Sequence, residues 1–150
     1  VYEAHGKAGG ILRYGIPSYR LPKDVLDKEL ELWKKLGVRF VFNKRIGQDI
    51  TIKDLSSQHD AVLVGIGAHG ERELGIPGEN LAGVHRGYEW LEAFASGKTG
   101  KPGRRTLVIG GGHVAIDVAR PPSPLDSEVT VAYRRSRKDL PANSLDLEGA

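Results

Sequence analysis

A run of strand-type residues, Arg104-Arg105-Thr106-Leu107-Val108-Ile109, passes without a gap into Gly110-Gly111-Gly112 and then into His113-Val114-Ala115-Ile116-Asp117-Val118-Ala119-Arg120. Buried-type strand, glycine bend and helix in that order leave a chain few choices. Gly110 permits the tight turn, Gly112 lets phosphates approach the backbone, and Ala115 lets helix pack closely on strand. The spacing is the G-x-G-x-x-A form of a dinucleotide-binding turn. Unfilled N–H groups of the first helical turn then face an anion. The plain alternative is a glycine turn in an α/β fold that binds nothing.

The stricter spacing G-x-G-x-x-G occurs at Gly65, Gly67 and Gly70. There the flanks fail. Glu71-Arg72-Glu73-Leu74-Gly75-Ile76-Pro77-Gly78 follows, and two glycines and a proline in four residues do not make a helix. Without a helix no aligned N–H groups remain to hold a pyrophosphate. A strand at Asp60 to Val64 that turns out into a connector is the expectation there.

The corner after the second strand separates two cofactors. A site for NAD carries an acidic residue ~20 positions beyond the glycines, on the ribose hydroxyls. Here Val129-Thr130-Val131-Ala132-Tyr133 ends in Arg134-Arg135-Ser136-Arg137-Lys138. A carboxylate repels a ribose 2′-phosphate, and guanidiniums grip it with paired charge-assisted bonds. NADP(H) is therefore favoured over NAD(H). A basic cluster is otherwise a solvated face or a nucleic-acid patch. No aromatics interleave it, as a single-strand binder would want, and 22 Lys and Arg against 19 Asp and Glu give a net charge of only +3.

The rest of the 150 residues adds punctuation and some exclusions. Glycine is abundant, 20 residues, about 13% against a usual ~7%. There is no cysteine, so these residues hold no disulfide, iron–sulfur cluster or redox thiol. The longest apolar run, Ala61 to Ala68, is far short of a membrane span. No secretory signal is present; a cytoplasmic protein without membrane or nucleic-acid partners is expected. The opening Val1-Tyr2-Glu3 reads as the end of a strand already under way, so a piece of a longer protein is expected too. Residues 1–22 are loop-rich. Pro22 to Leu36 is a helix, with Val25, Leu26, Leu30, Trp33 and Leu36 at helical spacing and Gly37 as its stop. Val38 to Phe42 reads as a strand, Asp54-Leu55 as one helical turn, and Tyr88 to Ala95 as a short helix. Trp33 and Trp90 are expected in the core. Strands alternating with helices indicate an α/β protein with parallel sheets.

The motifs together resemble a known family. Glu3 through Gly10, followed by Leu12-Arg13-Tyr14-Gly15-Ile16-Pro17-Ser18-Tyr19-Arg20-Leu21-Pro22, is similar to the flavin-domain signature of the glutamate synthase small (beta) subunit group. Gly110-Gly111-Gly112, Ala115 to Arg120 and Tyr133 through Pro141-Ala142 resemble its NADPH motif. The flavin and pyridine-nucleotide domains of dihydropyrimidine dehydrogenase are similar. The resemblance implies a Rossmann-like α/β fold, a partial two-dinucleotide-binding-domain flavoprotein with the NADPH domain inserted in the FAD domain. It implies residues 1–68 as partial FAD-binding domain, 69–103 as a connector with a short helix, and 104–150 as the N-terminal part of the NADP(H)-binding domain. By the same resemblance Glu3 bonds the adenosine ribose of FAD. Ala4 to Ile11, with Gly9, Gly10 and Ile11, lines the FAD diphosphate and ribityl chain. Arg20 and Ile46 are further FAD contacts. Gly111, Gly112, His113 and Val114, after the Gly110 turn of the same cofactor loop, hold the NADPH pyrophosphate, and Arg134, Arg135 and Arg137 its 2′-phosphate. Gly67 and Ala68 mark the crossover out of the flavin domain.

The implied activity is hydride transfer from NADPH to FAD, with electrons passed onward to an iron–sulfur-containing domain or partner subunit. The cofactors carry that chemistry and the protein supplies placement and electrostatics, so no catalytic side chain is named, and no metal site. The alternative is a non-catalytic NADP(H)-binding module. The chain departs from the family in three places. The flavin domain's own N-terminal glycine motif, its C-terminal return and the end of the NADPH domain are absent. His113 stands where the family has Asn or Asp, which cap a helix start better. Pro121-Pro122-Ser123-Pro124 interrupts the helix, which should stop near Arg120 because an internal proline costs ~3 kcal/mol. Either a loop replaces the lost turns or that segment is a translation or sequencing artefact.

Overall fold

The computed structural model describes residues 1–99, 103–120 and 127–141. The proline-rich interruption at 121–124 and Ala142 lie outside them. Helix α1 spans Gly10–Tyr14, α2 Lys23–Lys35, α3 Ile52–Gln58 and α4 Gly87–Ala95. Strand β1 (Arg105–Ile109), α5 (His113–Ala119) and β2 (Glu128–Ala132) follow, then a 3-10 turn at Arg137–Asp139. β1 and β2 pair in parallel, from Arg105 opposite Glu128 to Ile109 opposite Ala132. α5 lies across them as the crossover, ending at Ala119 as expected.

The packing follows from small residues at the crossings. Ile116 of α5 is 2% exposed and Val108 of β1 is buried; burying a side chain of that size contributes about 1.5–3 kcal/mol. A Cβ on Gly110 would sit 3.3 Å from the Ala115 Cβ, so a bulkier pair there would push helix from strand. α4 packs its Tyr88, Trp90 and Leu91 inward. One on Gly15 would fall 2.6 Å from the Tyr88 ring, which lets α1 close against α4. Glu71 receives the Tyr88 N–H at 2.8 Å at the start of α4, so the connector closes that helix end.

Several elements differ from the sequence reading. The 1–22 region is not all loop. Gly9, at φ 124°, turns the chain into α1, and buried Arg13 holds it by donating from Nε to the Ala8 carbonyl at 2.6 Å and from its guanidinium to Asp27 on α2. That guanidinium keeps the Asp27 carboxyl below its usual range. α3 is seven residues rather than one turn, because the Thr51 hydroxyl receives the Asp54 N–H while the Asp54 carboxylate receives the Thr51 N–H, a reciprocal cap that satisfies two orphan donors. Val38 to Phe42 is not a full strand. Only Val41 bridges Tyr2, in parallel. Asp60 to Val64 forms no strand, and Leu63 is 96% exposed. A strand needs a neighbour for its N–H and C=O groups, and no described segment runs beside it. For the same reason Leu107 and Ile109, on the face of β1 away from α5, are exposed, against the buried-type reading of that run. Trp90 is buried, but Trp33 is 51% exposed. α2 buries only Leu26.

Candidate functional site

The C-terminal ends of the two parallel strands meet at one corner. The Gly110 N–H donates to the Ala132 carbonyl at 2.9 Å, so the glycine bend starts where β2 stops. Gly110 has φ 140°, a value that L side chains rarely adopt. Gly111 is buried beneath the loop that follows β2. A Cβ there would meet Leu140 Cδ2 at 2.5 Å and the Tyr133 ring at 2.6 Å. Gly112 is different, because nothing lies within 4 Å of where its Cβ would be. The three glycines thus have three separate jobs: a backbone conformation, a close approach of loop on loop, and open space above the start of α5.

Gly112, not His113, is the N-cap residue of α5, with φ −83° and ψ 174° and no side chain capping the helix. The comparison of His113 with a capping Asn or Asp is therefore corrected. His113 is the first helical residue and is exposed. Val114 is exposed as well, with one methyl 3.0 Å from the position of a Cβ on Gly87.

Arg134, Arg135 and Arg137 all sit on the loop that covers Gly111, and all three are exposed. None of their side chains makes a hydrogen bond or ion pair among the described residues. The loop itself is held. Ser136 Oγ donates to Asp139 Oδ2 at 2.6 Å, the Ser136 N–H donates to the same oxygen at 3.2 Å, and the Tyr133 hydroxyl donates to the Asp139 carbonyl at 3.0 Å. The Asp139 carboxylate is thereby occupied within the turn, and the three arginine side chains are left to solvent.

The residues assigned to the flavin side gather elsewhere. Glu3 pairs through its backbone with residues 41 and 44. Gly9 and Gly10 both have positive φ at the entry to α1, and Ile11 lies one position on. A cavity of about 390 Å³ lies behind this loop, walled by Gly6, Lys7, Ala8, Phe40 and Phe42 among others. Ile46 bridges Ile50 in a tight turn two residues beyond Lys44, whose N–H donates to the Glu3 carbonyl at 3.0 Å. Arg20 does not join this group. Its Nε donates to Asp117 on α5 at 2.5 Å.

Two further groupings escaped the sequence reading. The His5 ring stacks on Tyr14 at 4.4 Å, with Nδ1 3.1 Å from Glu3 Oε1 and Nε2 2.8 Å from Glu92 Oε1. Glu3 Oε1 is thereby committed and Oε2 accepts none of these bonds. Asp117 collects Tyr19 and Arg20. Its signal was a carboxylate set within the apolar run Val114 to Ala119. His5 had no such signal, since its partner Glu92 is 87 residues away.

A parallel strand pair, a crossover helix and an open glycine bend at their carboxyl ends define an α/β protein of Rossmann-like type. The chain belongs to the pyridine nucleotide-disulphide oxidoreductase family, whose pattern matches residues 27–142. It is 38% identical over 154 residues to the NADP(+)-dependent formate dehydrogenase subunit beta of Moorella thermoacetica, matching all of this chain and 22% of that protein. It is 31% identical over 162 residues to the glutamate synthase (NADPH) small chain of Escherichia coli strain K12, matching all of this chain and 34% of that protein. The resemblance to the glutamate synthase small subunit group is borne out by that match. Among solved structures, FprA from Mycobacterium tuberculosis in complex with NADPH superimposes with a TM-score of 0.66 at 30% identity, covering 79% of this chain and 28% of that one. No helix among the described residues is long and apolar enough to cross a membrane.

Proposed function

We propose that these residues form part of an NADPH-dependent, FAD-containing oxidoreductase, with residues 1–68 serving the flavin side, 69–103 connecting, and 104–150 beginning the NADP(H) domain. The observation that carries the reading is the corner itself. The space over Gly112 suits a diphosphate, which backbone N–H groups at a helix start can meet. Beside it stand three guanidiniums with no protein partner among the described residues, as a 2′-phosphate requires. For FAD, the fit rests on the glycine entry to α1 and on Glu3, whose Oε2 is left to accept a ribose hydroxyl. His5 holds that carboxylate in place through Oε1.

When bound, NADPH would supply a hydride and FAD would be its acceptor. The chain's own residues bind, separate and orient. Arg134, Arg135 and Arg137 select the phosphorylated nucleotide, and the bend fixes where its diphosphate lies. The electrons are passed on to an iron–sulfur-containing domain or partner subunit, in keeping with relatives that are themselves named as subunits or chains of larger enzymes. The alternative is a module that binds NADP(H) without turnover.

The test uses the protein in its complete native length, loaded with FAD and mixed with NADPH under anaerobic conditions. Bleaching of the flavin absorbance within the mixing experiment is expected, with NADH far slower. NADPH binding without bleaching would favour the non-catalytic module, and equal rates from NADH would remove the role given to the arginines.

A further inference from the structure

One carboxylate ties the segment after α1 to the crossover helix. Asp117 lies one turn beyond His113 on α5 and is 6% exposed. Its Oδ1 accepts from the Tyr19 hydroxyl at 2.7 Å and from Arg20 Nε at 2.5 Å, partners 98 and 97 residues distant in the chain. The Arg120 guanidinium lies 4.6 Å from the centre of the Tyr19 ring and closes the cluster from the C-terminal end of the helix. Burial, and then Asp117, push the Tyr19 hydroxyl up to about 12, so it stays a neutral donor.

Folding alone accounts poorly for this arrangement. Desolvating a carboxylate and a guanidinium costs about as much as their attraction returns, and apolar replacements for such pairs are often neutral or stabilising. α5 is already seated by Ile116 against the strand pair. What the pair does fix is a distance and an orientation between two segments from opposite ends of the chain.

We propose that Asp117 is a positioning residue that, by holding Tyr19 and Arg20 against α5, sets the spacing between the flavin-side segment Pro17–Arg20 and the helix that begins at the nucleotide-binding bend. The inference rests on the reading above, in which residues 1–68 serve the flavin side and the bend holds NADPH. Hydride transfer needs donor and acceptor about 3–3.5 Å apart, and an error of ~1 Å costs on the order of 100-fold. A tie between the two sides is therefore worth keeping even when it adds little stability.

Asp117→Asn keeps an acceptor oxygen and the shape while removing the charge; Asp117→Ala removes both. Each is made in the complete FAD-loaded protein. At saturating NADPH the single-turnover rate of flavin reduction is expected to fall at least about tenfold in both, with the Kd for NADP+ within about threefold of the parent. In Asp117→Asn the midpoint potential of the bound flavin shifts positive, because a negative charge held against the flavin-side segment is removed and the reduced anion is favoured. A merely structural carboxylate would lower Tm and leave both quantities unchanged in the folded protein. Should Asp117→Ala fail to fold, Asp117→Asn and Tyr19→Phe carry the test. A rate within about threefold of the parent, or an unchanged potential in folded Asp117→Asn, overturns the proposal. If the parent flavin is not reduced by NADPH while the Asp117→Asn potential still shifts, the functional reading fails and the tie stands.

Discussion

Replacing Arg134, Arg135 and Arg137 together with alanine is expected to weaken NADPH binding by about 100-fold and to leave NADH binding within about threefold. The reasoning is one of partners. A ribose 2′-phosphate is a dianion, and a hydrogen bond to a charged group contributes roughly 1.5–3 kcal/mol when it forms. The three side chains are exposed, so water competes for them and two good contacts sum to about 3 kcal/mol, near a factor of 100. NADH has no group to lose. Raising the salt concentration should shrink the difference between the two nucleotides, as expected of exposed charges. Calorimetric titration of each nucleotide into parent and variant provides the check. Equal losses for both nucleotides would mean that the loop supports the bend rather than reading the phosphate.

Gly112→Asp is expected to abolish binding of both nucleotides while leaving Tm unchanged or slightly higher. Two facts make the result asymmetric. Nothing lies within 4 Å of the new Cβ, and φ of −83° is ordinary for any residue. Aspartate is moreover a better N-cap than most residues, and its charge suits a helix start. The fold therefore loses nothing. The ligand loses the open space and meets a carboxylate where its diphosphate should lie. A loss of more than about 100-fold for NADPH and NADH alike is the expected outcome. Tight binding in the variant would show that the space over Gly112 is not the diphosphate site. Because the arginine variant is expected to separate the two nucleotides and the Gly112 variant is not, the two experiments together distinguish selection from docking.

Much of this corner was legible from the chain because its signals are local. Ile109, Gly110, Gly112 and Ala115 lie within seven residues, and each has a steric job that can be named before any neighbour is known. α2 was legible for a related reason, with apolar positions at helical spacing between Pro22 and Gly37. The reading failed where a residue's state depends on something distant. Asp60 to Val64 has strand-like composition, yet a strand exists only beside another strand. Trp33 sits at a helical apolar position, but nothing among the described residues covers that face. α1 is too short for periodicity to show. It forms because Gly9 turns the chain and Arg13 reaches both Ala8 and Asp27.

The candidate residues divide along the same line. Gly110, Gly111, Gly112 and the arginines after β2 are readable as a pattern. His5 is not, since its partner Glu92 is 87 residues away, and of Asp117 only the carboxylate within an apolar run is readable, its partner Arg20 being 97 residues away. Arg20 has a partner that its motif does not show. The resemblance assigned it to FAD, and in the fold its Nε is committed to Asp117, which makes it a link between the two halves of the chain as well as a candidate contact.

The most direct test of the account is a crystal structure of the complete protein with NADP+ bound. The account requires the 2′-phosphate within hydrogen-bond distance of at least two of Arg134, Arg135 and Arg137, with the diphosphate lying over Gly112. A 2′-phosphate held by other residues, or a nucleotide seated away from the bend, would contradict it.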